Sequence, residues 1–76
     1  MARRVELRSI SNEEGSRLLR LVRRSTGSVV TWRRRQIVLL SARGISAVAI
    51  SEVVFTDPDT AREVIHHFNR GGFDAL

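Results

Sequence analysis

Apolar residues recur along this chain with a helical period, and short polar or glycine-containing breaks divide the pattern into four segments. The first predicted helix covers about residues 11–25, and its N-terminus fits a capping box formed by Ser11 and Glu14. Its apolar positions share one face, and four arginines share the other: Arg17, Arg20, Arg23 and Arg24. The pattern predicts an amphipathic helix that is buried on one side and basic on the other.

The remaining segments predict three more helices, separated by recognisable helix ends. Gly44 is expected to end the second helix in a left-handed conformation, while Ser46 and Asp57 are the predicted N-caps of the third and fourth. Residues 37–40 are apolar on every side of the second helix, which predicts that this helix lies at the centre of the bundle. The predicted helices cover about residues 30–43, 46–55 and 58–70.

The third and fourth segments together fit a helix-turn-helix motif, in which a short first helix supports a second that enters the DNA major groove. The small Ser51 allows the two helices to cross closely, and residues 55–57 supply the turn. Phe55 stands where such turns usually carry glycine, and a phenylalanine adopts a positive φ only at a cost. The turn geometry is therefore open, and burial of Phe55 between the helices is one expected outcome. Any small helical bundle contains a pair of short helices, so an ordinary bundle is the alternative.

Composition narrows the class of protein. The 76 residues predict one small domain, and 42% hydrophobic with 28% charged residues is typical of a globular fold. The absence of cysteine excludes disulfides and thiolate metal sites. No purely apolar run is longer than that at residues 37–40, which is far shorter than the roughly 20 residues that a membrane span needs. No apolar signal core follows the N-terminus, so a cytoplasmic protein without membrane contact is predicted.

The net charge is +5, and every basic residue is an arginine. A basic excess on a small domain indicates an anionic partner, with nucleic acid first. Residues 1–35 hold ten arginines against three glutamates, a net charge of +7. Residues 36–76 hold three arginines against five acidic residues, a net charge of −2. The positive field therefore belongs to the first half of the chain and not to the predicted recognition helix.

Several short motifs follow one another in a recognisable order: RRRQIVLLSARGIS at 33–46, AIS at 49–51 and DPDTAR at 57–62, with VEL at 5–7 and NRGGFDAL at 69–76. This arrangement resembles the N-terminal helix-turn-helix domain of bacterial mariner-like insertion-sequence transposases, over nearly the whole chain. The resemblance implies an all-α, homeodomain-like bundle of three to four helices, with residues 1–76 as a single domain. It also implies binding to transposon terminal inverted repeats. Strand cleavage then belongs to a separate downstream domain, and this chain corresponds to one part of a transposase.

The predicted DNA interface has two parts. The fourth helix and the turn before it are expected to contact bases, through Thr56, Asp59, Thr60, Arg62, Glu63, His66, His67 and Arg70. A basic arm at residues 1–9 and the opening of the second helix are expected to contact phosphate or the minor groove, through Arg3, Arg4, Arg8, Arg33, Arg34 and Arg35. The arginine stripe of the first helix either adds to this phosphate contact or is a solvated face.

The predicted function is sequence-preferring binding of double-stranded DNA, with nucleoid association and without catalytic activity, cofactor or small-molecule ligand. No serine, histidine and acid set has the spacing of a catalytic triad, and adjacent His66 and His67 diverge on a helix, so no metal site is expected. An alternative is a helical protein-interaction or dimerisation module, favoured by the acidic recognition face and by Phe55, Phe73 and Leu76. That alternative leaves room for a homodimer. A free-standing transcriptional regulator is a further alternative.

Overall fold

The computed structural model describes residues 6–24 and 28–76, and these residues form helices and turns without any strand. Within these described residues, four α-helices follow one another and a 3₁₀ turn follows at Gly72–Ala75. The helices are α1 (Asn12–Arg23), α2 (Val29–Ala42), α3 (Ala47–Val53) and α4 (Pro58–Gly71). The predicted all-α bundle is confirmed.

The helix starts follow from side-chain caps that the sequence encodes locally. Ser11 Oγ accepts a hydrogen bond from the Glu14 amide at 3.1 Å, and Glu14 accepts one from the Ser11 amide at 3.2 Å, so the capping box is present. The cap of α2 is Ser28, whose Oγ accepts from the Thr31 amide at 3.2 Å. Because Ser28 caps this helix, α2 begins at Val29, one residue before the predicted start.

The caps around the helix-turn-helix motif are those that the sequence predicts. Ser46 Oγ accepts from the Ala49 amide at 3.3 Å at the start of α3. Asp57 accepts from the Thr60 amide at 2.9 Å, and Pro58 follows in the first turn of α4, where a missing N–H costs nothing. Gly44 has a φ of 84°, the left-handed conformation expected after α2.

Two buried clusters hold the helices together, and α2 contributes to both. The first joins α2 to α3 and α4 through Ile37, Ala47, Ile50, Val54, Ala61 and Ile65. The second joins α1 to α2 and α4 through Leu18, Val38 and Phe68. Among the described residues α1 contacts α2 but not α3, so α1 and α3 lie on different sides of the central helix. The predicted central position of α2 is confirmed.

The turn between α3 and α4 departs from the burial expected for Phe55. Phe55 has a φ of 58° and its side chain is 87% exposed. Val54 and Ile50 already fill the core beneath the turn, so the chain reverses through a left-handed residue and the aromatic ring points to solvent. The Thr56 amide closes the turn by donating to the Ser51 carbonyl at 2.9 Å. Expecting burial between the helices was therefore wrong, and the left-handed turn is retained without glycine.

The N-terminal segment and the C-terminal turn both fold back onto the end of α4. Asn69 Oδ1 accepts from the Arg8 amide at 2.8 Å, while Asn69 Nδ2 donates to the Glu6 carbonyl at 2.9 Å. Phe73 meets Phe68 edge-on, with ring centroids 5.4 Å apart. Residues 6–10 are therefore attached to the bundle at the C-terminal half of α4.

Candidate nucleic-acid interface

The exposed face of α4 carries polar side chains that can exchange hydrogen bonds with base edges. Ala61, Ile65 and Phe68 are fully buried and bring the opposite side of the helix to the surface. A shallow depression runs along that surface, lined by Glu63, His66, His67, Asn69 and Arg70. The structure thus brings four of the predicted base-contacting residues together in one place.

At the start of α4, residues that were predicted to contact bases bind neighbouring side chains instead. The Thr60 hydroxyl donates to Asp57 at 2.7 Å, and Arg62 forms an ion pair with Asp59 at 3.0 Å. Hydrogen bonds from Thr60 hold the pKa of Asp57 below its usual value. Thr60 and Arg62 are half-buried, as is Thr56 in the turn, whereas Asp59 is exposed. The accessible chemistry of α4 therefore lies in its middle and C-terminal turns.

Two of the predicted phosphate-binding arginines lie directly beside α4. A groove of about 280 Å³ separates α2 from α4, lined by Val30, Arg33, Arg34, Ile37, Thr60, Glu63, Val64 and His67. Arg33 is half-buried and its Nε donates to the Val54 carbonyl at 3.2 Å, which holds its guanidinium group beside the turn. Arg34 is exposed at the groove. Sequence reasoning named both arginines but missed their place next to Glu63 and His67, which depends on how α2 packs against α4.

Arg35 points in a different direction from its two neighbours. Its Nη1 donates to the Leu21 carbonyl at 3.3 Å, and the side chain is half-buried. This contact ties α2 to α1, so Arg35 has a structural connection that the sequence pattern did not indicate. Helix geometry could have indicated this difference from the sequence. Arg35 follows Arg33 by two residues, and at about 100° per residue the two side chains leave α2 about 200° apart.

Arg8 is also committed to contacts within the protein. Its Nη2 forms an ion pair with Glu14 at 3.0 Å, and its guanidinium lies 4.9 Å from the centre of the Phe68 ring. The hydrogen bond from Arg8 is the largest cause that holds the pKa of Glu14 below its usual value. Arg3 and Arg4, the other predicted arm residues, lie outside the described residues, so the basic arm remains a prediction there.

Comparison with known protein families identifies a domain in the second part of the chain. The family model of the homeodomain-like domain matches residues 28–76, which contain α2, α3, α4 and the final turn. The chain belongs to the homeodomain-like domain family. Neither the curated proteins nor the solved structures include a significant match to this chain. Homeodomain-like domains are helix-turn-helix folds, and membership of the family indicates DNA binding in general.

The homeodomain-like segment leaves the first part of the chain outside its boundaries. Helix α1 and residues 6–10 precede the matched region, yet Leu18 packs into the same cluster as Val38 and Phe68.

In the described parts of the chain, no helix is long and apolar enough to cross a membrane. Within those same parts, His, Asp and Glu side chains form no group of three that could hold a metal ion.

Proposed function

We propose that this homeodomain-like domain binds double-stranded DNA with sequence preference, with α4 in the major groove and without catalytic activity of its own. The observation that carries the proposal is the groove between α2 and α4, where Arg33 and Arg34 lie beside the exposed face of α4. Arginines at that position reach phosphate oxygens along the edge of the DNA major groove that α4 enters. Positive charge thus comes from α2, and base contacts come from α4.

The side chains on α4 supply donors and acceptors for base edges. Arg70 can donate to guanine O6 and N7, His66 can donate to an acceptor, and Glu63 can accept from cytosine N4. Asp59 and Glu63 balance Arg62 and Arg70, so the described face of α4 is close to electrically neutral. A neutral base-reading helix fits a division of labour in which phosphate contacts give affinity and base contacts give preference.

We further propose which DNA sequences the domain recognises. The motif order over residues 33–62 and the edges of the chain resemble mariner-like transposases, which supports recognition of transposon terminal inverted repeats. On this proposal the domain anchors a longer protein to the ends of a mobile element, and it works at the nucleoid. Strand cleavage would then be done by other parts of the transposase.

The test is selection followed by titration. Duplexes that bind the full chain are selected from a random-sequence pool, and the selected duplex and a scrambled duplex are titrated at two salt concentrations. We expect the selected duplex to bind at least about 10³-fold more tightly than the scrambled one, the lower end of the usual range for specific DNA-binding proteins. Affinity for both should fall steeply with salt because phosphate contacts release counterions. Equal, micromolar or weaker binding to both duplexes would contradict the proposal.

A second candidate function, a protein-interaction or dimerisation module, is favoured by one observation. Phe55 is 87% exposed, and Val53 nearby is 59% exposed. Exposed large apolar side chains in proximity are typical of interaction surfaces. Sedimentation at several protein concentrations separates the two candidates, because a stable dimer that shifts no duplex would favour this module over DNA binding.

A further inference from the structure

Helix α1 presents a continuous basic surface, which we call the arginine face and define by Arg17, Arg20, Arg23 and Arg24. All four side chains are exposed. The Arg17 guanidinium lies 4.3 Å from the centre of the Phe73 ring, which holds that end of the face against the C-terminal turn. Ion pairs among the described residues do not involve Arg20, Arg23 or Arg24. These cations are therefore available to a partner.

The arginine face stands on a helix that the rest of the domain holds firmly. Leu18 is fully buried in the cluster with Val38 and Phe68. The ion pair between Arg8 and Glu14 fixes the first turn of α1, and the hydrogen bond from Arg35 to the Leu21 carbonyl fixes its last turns. The backbone of a helix that is already fixed loses little conformational freedom when the helix binds a partner.

The arginine face and the exposed face of α4 point in different directions. Arg20 lies two residues after Leu18 on α1, and Arg70 lies two residues after Phe68 on α4, so each arginine is about 160° around its helix from the buried residue. Leu18 and Phe68 belong to one buried cluster, to which Val38 of α2 also contributes. Each outward face is turned away from this shared cluster, so the two faces point in different directions and a straight duplex along α4 does not follow the arginine face.

We propose that the arginine face is a second nucleic-acid-binding surface, which holds the phosphate backbone of a second DNA duplex while α4 holds the first. This inference rests on the proposed function. Guanidinium groups bind phosphate oxygens through paired hydrogen bonds, and Arg20 to Arg24 span about one helical turn. The face carries no large apolar side chain, and the apolar face of α1 is turned into the core. Contact with the second duplex is therefore electrostatic and independent of sequence.

The test measures capture of one duplex by another. The selected duplex is immobilised and saturated with the full chain, and a fluorescent duplex of unrelated sequence is then added. We expect the wild-type chain to capture the second duplex. Arg20→Glu should weaken capture at least about tenfold while changing affinity for the first duplex less than about threefold, since the lost contacts are phosphate contacts on one surface only.

Arg43→Glu is the matched control, because Arg43 is exposed beyond the end of α2, outside the arginine face, and its replacement changes the net charge equally. This variant should retain capture. Circular dichroism of both variants checks that α1 remains folded. Sedimentation of the complex with short duplexes should give one chain with two duplexes, whereas two chains with two duplexes would mean that dimerisation accounts for capture and would overturn the inference.

Four other outcomes would also overturn it. Equal losses of first-duplex and second-duplex binding in Arg20→Glu would mean that one continuous duplex contacts both faces. Binding of polyglutamate that depends on Arg20, without capture of a second duplex, would identify an acidic protein as the partner. Normal binding of the first duplex with no capture would overturn this inference alone, whereas the absence of all duplex binding would overturn the proposed function with it.

Discussion

At the scale of single residues, Phe55 has an identifiable conformational cost, because among the described residues it is the non-glycine residue with a positive φ. Its φ of 58° lies in the left-handed region, where a Cβ atom costs about 1–2 kcal/mol. Its ring is almost fully exposed, so burial does not offset that cost. Strain that persists without a packing reason is typical of residues kept for contact with a partner.

We therefore expect Phe55→Gly to raise the free energy of unfolding by about 1 kcal/mol, because glycine adopts a positive φ without a steric penalty. Urea unfolding followed by circular dichroism measures the change. Phe55→Ala is the control, since alanine keeps the Cβ atom and loses only the exposed ring. If Phe55→Ala stabilises the domain as much as Phe55→Gly, the backbone conformation is not the cause.

The lowered pKa values of two carboxylates lead to a prediction of how the stability of the fold depends on pH. The pKa values of Glu14 and Asp57 are lowered in the folded domain, mainly by hydrogen bonds from Arg8 and from Thr60 respectively. A carboxylate with a lowered folded pKa stabilises the fold above its unfolded pKa of roughly 4, and this contribution disappears as pH falls through the folded pKa. We expect stability to decline below about pH 4.5 and to be insensitive to these two groups near neutrality.

The double variant Glu14→Gln with Asp57→Asn tests this prediction. Glutamine can still complete a capping box and asparagine is a good N-cap, so both helix starts should persist. Thermal unfolding between pH 3 and pH 7 should then show a smaller loss of stability on acidification than the wild-type chain. An unchanged acid slope would show that other groups control the transition.

At the scale of secondary structure, the groove between α2 and α4 predicts how DNA binding responds to a single arginine. Arg34 is exposed in the groove and is expected to contact one phosphate. We expect Arg34→Ala to weaken binding to selected and scrambled duplexes alike and to reduce the slope of log affinity against log salt by about 1. Fluorescence anisotropy at a series of salt concentrations measures both quantities.

Arg43→Ala is the comparison for that experiment, because Arg43 is exposed beyond the end of α2 and does not line the groove. Its salt slope should match that of the wild-type chain. A loss confined to the selected duplex in Arg34→Ala would instead mean that Arg34 contacts a base edge.

Local chemistry explains which elements the sequence predicts well. Ser11, Ser46 and Asp57 cap their helices because a cap depends on residues only three positions away. The partners of Arg8 and Arg35 lie on other segments, so no local pattern identifies them. For the same reason the sequence could name Arg33 and Arg34 but could not place them beside α4. The exposure of Phe55 depended on how completely the core beneath it was filled.

At the scale of the whole molecule, α1 extends a homeodomain-like segment that begins at residue 28. Its fully buried Leu18 shares a cluster with residues of that segment, so α1 should unfold together with it. We expect Leu18→Ala to lower the free energy of unfolding by about 3 kcal/mol, a large share of the stability of a small domain. The loss should appear in one cooperative transition.

Circular dichroism and the fluorescence of Trp32 on α2 provide two probes of that transition. If α1 belongs to the cooperative unit, the circular dichroism and the Trp32 fluorescence should change at the same denaturant concentration, both in the wild-type chain and in Leu18→Ala. If the helix signal falls at a lower denaturant concentration than the Trp32 signal, α1 unfolds separately from the remaining helices and with a smaller free energy of unfolding.

The hydrogen bonds of Asn69 have a practical consequence for work with this protein. One amide side chain holds both the Glu6 carbonyl and the Arg8 amide, and it also borders the depression that contains His66 and Arg70. Any tag or fusion partner joined at the N-terminus therefore starts its path only a few residues from this surface. On the proposed function, a partner protein joined there would compete for space with the duplex bound at α4, so DNA-binding measurements call for an untagged chain or a cleavable tag.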